Sequence, residues 1–96
     1  MFEPTIYNTP AITTANTEYS LALPAGTCKF QIRLQDSTAF RLAFVTGKVA
    51  TPTAPYLSVP AGHSYEEVCD TRRAITLYFA APAGTKVPEI SCWKGA

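Results

Sequence analysis

The chain has 96 residues, of which 47% are hydrophobic and 16% charged, with a formal net charge of +1. That length fits one domain burying roughly 65% of its unfolded surface, enough for one core but not for a deep pocket. Scattered Lys and Arg exclude the basic stripe of a nucleic-acid binder, and no apolar run reaches the roughly 18 residues of a membrane span.

Residues 1–15 open the chain with Phe2, Ile6, Tyr7 and Ile12, interrupted by Pro4 and Pro10. Proline donates no ladder hydrogen bond, so this stretch is excluded from a central strand. It reads as a frayed tail, an edge strand, or an extended arm lying across a neighbouring subunit, and we take the arm as the working expectation. The start has neither the basic residues nor the apolar run of a signal peptide, so synthesis in a cytoplasm is expected.

Residues 16–96 are expected to form the folded domain. Alternation predicts strands at Tyr19–Leu23, Cys28–Leu34, Phe40–Val45, Tyr56–Val59, His63–Val68, Ile75–Ala80 and Val87–Trp93. The run from Cys28 to Leu34 is the cleanest, with Phe30, Ile32 and Leu34 on one face against Lys29, Gln31 and Arg33 on the other. Eight prolines and five glycines punctuate these segments. Pro24-Ala25-Gly26, Pro60-Ala61-Gly62 and Pro82-Ala83-Gly84 recur between strands and read as hairpins or corners. No window has helical periodicity with caps. The expectation is an all-β, small antiparallel β-sandwich of about seven strands, jelly-roll or immunoglobulin-like, with an extended N-terminal arm. Its core is expected at Phe30, Ile32, Leu34, Leu42, Phe44, Leu77 and Phe79.

Little here suggests chemistry. His63 is the sole histidine and begins a strand after Gly62. Ser64 and Asp70 would be needed to complete a triad, and no nucleophile-elbow motif is present. Glu66, Glu67 and Asp70 fit no calcium-loop spacing, and Arg72 and Arg73 lie beside them. Cys28, Cys69 and Cys92 are odd in number and include no CxxC pair, which points to free, reduced thiols and to no zinc site. We expect no enzyme activity, no metal and no cofactor. Tyr78 and Trp93 lie opposite their strands' main apolar sets, which predicts an outward aromatic platform for protein or sugar. The low charge likewise suits a surface that meets protein, although Thr, Ser and Gln are plentiful enough to solvate it.

The run Glu18-Tyr19-Ser20-Leu21-Ala22-Leu23-Pro24-Ala25-Gly26-Thr27 with its following strand resembles small virion proteins of tailed bacteriophages. Phe40-Arg41-Leu42-Ala43-Phe44 before Gly47-Lys48-Val49, and Tyr56 to Gly62, share that likeness. So does Leu77-Tyr78-Phe79 with Glu89-Ile90-Ser91-Cys92-Trp93. The resemblance covers about Asn16 to Trp93 and implies a β-sandwich component of the particle, of the capsid decoration (cement) kind. It brings no catalytic or ligand residues. It implies localisation in the virion and partners among the major capsid protein, other virion proteins and further copies of the chain, such as a trimer at a symmetry axis. Neither nucleic acid nor membrane is an expected partner. Contact residues are expected at Phe2, Ile6, Tyr7, Ile12, Tyr78 and Trp93. Another place in the particle (neck, tail or fibre) and a small carbohydrate-binding module are the alternatives.

Overall fold

A computed structural model describes residues 3–69 and 74–94. Eight strands are present: β1 (Glu3–Tyr7), β2 (Tyr19–Ala22), β3 (Thr27–Leu34), β4 (Phe40–Ala43), β5 (Leu57–Val59), β6 (Tyr65–Val68), β7 (Thr76–Ala80) and β8 (Pro88–Lys94). No helix occurs among the described residues. The strands form two four-stranded sheets, in the orders β1-β8-β3-β6 and β2-β7-β4-β5. Every neighbouring pair is antiparallel. The expected all-β, two-sheet architecture is therefore correct, with one strand more than the alternation predicts.

The additional strand lies in the N-terminal segment. Glu3–Tyr7 pairs with β8 of its own sheet from Glu3↔Lys94 to Tyr7↔Ile90. Pro4 is tolerated because β1 is an edge, where one side of the strand needs no ladder partner. Beyond β1, Ile12 is fully buried and exchanges two backbone hydrogen bonds of 2.9 Å with Lys86. Residues 3–12 thus belong to the sandwich, contrary to an arm that adds little to the core.

The core lies between the sheets. Phe30, Ile32, Leu34, Ile90 and Cys92 enter from the first, and Phe40, Leu42, Val59, Leu77 and Phe79 from the second. Period-two alternation places these residues on one face of each strand. Of the expected core, only Phe44 is misplaced: β4 ends at Ala43, and Phe44 sits at the open rim of the sandwich with 44% of its surface exposed.

The connections are corners rather than hairpins. Only β4 and β5 are both consecutive in the chain and paired; every other connection crosses from one sheet to the other. Two of the Pro-Ala-Gly tripeptides make the same turn: the Thr27 amide donates to the Pro24 carbonyl and the His63 amide to the Pro60 carbonyl. Gly26 and Gly62 hold φ of 86° and 79° at the third position of these turns, a left-handed conformation that glycine adopts without a Cβ penalty. Pro82-Ala83-Gly84 differs. A Cβ on Gly84 would stand 2.7 Å from the Thr13 carbonyl oxygen, so there glycine permits close approach of the N-terminal segment.

Candidate functional site

Three surfaces compete for a role. The outer face of β1-β8-β3-β6 carries paired charges, with Ile6 and Val68 exposed among them. Arg33 Nε lies 2.8 Å from Glu89 Oε1, and Lys29 Nζ lies 3.5 Å from Glu66 Oε2. The same ammonium sits 5.3 Å from the centre of the Trp93 ring. Gln31 donates to Ser64 Oγ over 3.0 Å. Such exposed pairs satisfy each other and leave no charge poised for chemistry.

The outer face of the second sheet is covered by the chain itself. The connection from β4 to β5 folds back so that Val49 is fully buried against Ala43, Ala80 and Tyr78. Arg41 fastens this flap, donating to the Val49 carbonyl over 2.7 Å and to Asn16 Oδ1 over 2.9 Å. Glu18 holds its start by accepting from Thr46 Oγ1 and the Gly47 amide. Tyr78 and Trp93 therefore belong to different sheets, one packed by the flap and the other facing Lys29. The expected shared aromatic platform does not form.

The third surface is the open end of the sandwich. Here the rings of Phe30, Phe44 and Tyr65 meet at centroid distances of 6.0–6.4 Å. They help line a cavity of about 400 Å³ that also takes in Val68, Cys69 and Ile75. Phe44 is shared with a second hollow of about 280 Å³, bounded by Leu42, Val45, Pro55, Tyr56 and Leu57. Of the six large apolar side chains exposed among the described residues, five line these two hollows: Phe44, Val45, Tyr56, Leu57 and Val68. Among the described residues, the one carboxylate lining either hollow is Glu67, which accepts a 2.6 Å hydrogen bond from the Tyr65 hydroxyl. That bond favours the neutral phenol and pushes the Tyr65 pKa up to about 12.

The expected contact residues disperse. Ile6 is exposed on edge strand β1, Tyr7 packs against the core, and Ile12 is inside it. Phe2 lies outside the described residues, as do Asp70, Arg72 and Arg73. His63 is exposed in the turn before β6, and Ser64 is engaged by Gln31. No cluster of His, Cys, Asp and Glu suited to a metal occurs among the described residues. All three cysteines are free. Cys28 Sγ lies 3.2 Å from the Trp93 carbonyl, and Cys92 is buried.

Alternation misses the apolar end because Phe44 continues the phase of Phe40 and Leu42. The signal available was the doublet Phe44-Val45, which places large apolar groups on both faces where a strand stops. Comparisons with protein-family models, with curated proteins and with solved structures return no match.

Proposed function

We propose that this chain is a non-enzymatic virion structural protein, a capsid decoration (cement) protein that docks on the assembled shell through its apolar end. The observation that carries this reading is the gathering of Phe44, Val45, Tyr56, Leu57 and Val68, five of the six exposed large apolar side chains among the described residues, around two hollows that share Phe44. Contiguous exposed apolar surface on a small domain marks a place of contact. At roughly 1.5–3 kcal/mol per large side chain fully buried, part of that gain from each of these five would hold a many-copy attachment. Binding the assembled shell but not its free subunits stabilises the shell by mass action.

The strand order supports the same reading. We read eight strands in the orders β1-β8-β3-β6 and β2-β7-β4-β5, with nearly every connection crossing between sheets, as jelly-roll wiring. That architecture recurs in viral capsid and lectin domains. Copies of the chain meet at a symmetry axis of the shell, as a trimer or in another closed ring. The sugar-module alternative loses its particular support with the separation of Tyr78 from Trp93. A place at the neck, tail or fibre would use the same apolar contact.

The test is co-sedimentation with shells assembled from the major capsid protein encoded nearest this chain. Val45 is 55% exposed, so Val45→Asp leaves the core intact and puts a charge in the contact. We expect wild type to pellet with shells and Val45→Asp to bind at least about tenfold more weakly, since a desolvated unpaired charge costs more than 1.4 kcal/mol. Equal binding by the two, with matching thermal unfolding, would refute the apolar end as the docking surface.

A further inference from the structure

The outer face of the first sheet holds a hollow of about 460 Å³ that shares no lining residue with the two hollows of the apolar end. Strand register builds its floor. Ile6 of β1, Ser91 of β8 and Gln31 of β3 stand in one row, and Glu89 with Arg33 makes the next. The β3 and β8 members alternate with the inward Phe30, Ile32, Ile90 and Cys92, which places them on the outer face. Both strands are interior and paired on each side, so a ligand here meets side chains and finds no free backbone ladder. Among the described residues, the one cation and the one carboxylate of the lining bind each other, Arg33 Nε to Glu89 Oε1 over 2.8 Å. That pairing neutralises the hollow and holds both groups in place. Hydrogen-bonding capacity of both kinds remains. The Arg33 terminal nitrogens donate, the Ser91 hydroxyl donates or accepts, and Gln31 donates to Ser64 while its carbonyl oxygen can still accept. Ile6, 66% exposed, adds an apolar wall.

We propose that this hollow is a saccharide site that takes a neutral pyranoside. The inference is independent of what the apolar end binds, and Tyr78 takes no part in it. A pyranoside carries hydroxyls that both donate and accept around its rim, and C–H groups on its faces. The hydroxyls meet Arg33, Glu89, Gln31 and Ser91, and a C–H face lies on Ile6. Other ligand classes fit less well. An ion pair satisfied within the hollow offers an anion no unpaired cation and a cation no unpaired carboxylate. An extended peptide binds by adding to a free strand edge, and the floor has none. A purely apolar ligand would leave the polar groups of Gln31 and Ser91 unpaired beneath it. The volume lies within the about 300–1,000 Å³ of small-molecule sites, and polar groups fixed before the ligand arrives reduce the ordering cost of binding. Trp93, two residues beyond Ser91 and on the same face, is the only tryptophan of the chain and reports on the site.

The experiment titrates the folded full chain with the methyl pyranosides of glucose, galactose, mannose and N-acetylglucosamine, and with glucuronate as a charged control. Backbone amide shifts and Trp93 fluorescence follow binding. At least one neutral glycoside should saturate with a Kd at or below about 5 mM, the affinity of a small ligand with few contacts. Its shifts should centre on Ile6, Gln31, Arg33, Glu89 and Ser91 and leave Phe44 and Leu57 unmoved. Arg33→Met keeps an aliphatic stem but removes the guanidinium donors, and should weaken that glycoside roughly tenfold or more. Ser91→Ala should weaken it by a smaller factor, with thermal unfolding of both variants close to wild type. Failure of every neutral glycoside to saturate by about 50 mM, shifts centred on the apolar end, tighter binding of glucuronate than of the glucoside, or unchanged affinity in both variants would each overturn the proposal.

Discussion

Phe79 and Phe44 are both in phase with Leu42, yet they meet different surroundings. Phe79 lies opposite Leu42 across β7 and β4 and is fully buried, whereas Phe44 stands past the end of β4 at the rim. Truncating Phe79 to Ala removes a ring from a packed interior and should cost about 3–5 kcal/mol. Phe44→Ala removes chiefly an edge-to-face contact with Phe30, and such pairs contribute about 0.5–1.5 kcal/mol. Denaturant unfolding of the two variants measures the difference directly, and equal losses would contradict the rim assignment. A pH effect belongs to Asp36. Hydrogen bonds from the Lys86 ammonium (2.6 Å) and from Thr38 favour its carboxylate and hold its pKa down to about 2, below the ordinary 3.8. The folded state therefore binds this proton less readily than the unfolded chain. The stabilisation is complete above pH 3.8 and is lost as pH falls towards about 2. Asp36→Asn should flatten the unfolding midpoint across that window; an unchanged acid dependence would assign the effect to other carboxylates.

Among the elements, β3 is the most legible in the sequence, because a strand with one buried and one solvated face writes its period of two into the residue order. The pattern from Lys29 to Leu34 is recovered with its faces as expected, and so are those of β4 and β7, whereas a register shift between Thr27 and Lys29 takes Cys28 out of the alternation. β1 is not legible. Pro4, threonines and scattered apolar residues describe an edge strand and a loose arm equally well, and only the pairing with β8 distinguishes them. Val49 is similarly silent, since its burial depends on Arg41 and Glu18 drawing the flap over Tyr78. The turn tripeptides announce bends, but which sheet the next strand enters is decided by long-range packing. These placements change what removal of residues 1–15 should do. The N-terminal segment contributes β1, the fully buried Ile12 and the Asn8 side chain that donates to the Pro88 carbonyl. Loss of Ile12 from the core alone should cost about 2–5 kcal/mol. A chain beginning at Asn16 should therefore unfold at markedly lower denaturant than the full chain. Coincident unfolding curves would restore the dispensable arm.

At the scale of the whole molecule, the sandwich satisfies most of its surface internally. One sheet's outer face carries paired charges, the other is roofed by its own flap, and five of the six exposed large apolar groups among the described residues gather at one end. Sequence patterning could place the strands but not this end, because Phe44, Tyr56 and Val68 come from three separate segments that only the corner connections bring together. The free edges of β1 and β6, the latter beside the apolar end, flank the first sheet. The proposed docking through the apolar end fixes an orientation on a shell. A cryo-electron-microscopy reconstruction of virions carrying this chain tests it most directly. The account predicts density for the sandwich on the shell with Phe44, Val45, Tyr56 and Leu57 buried against capsid protein and the paired-charge face turned to solvent. A particle that carries the sandwich with those four side chains facing solvent would contradict it.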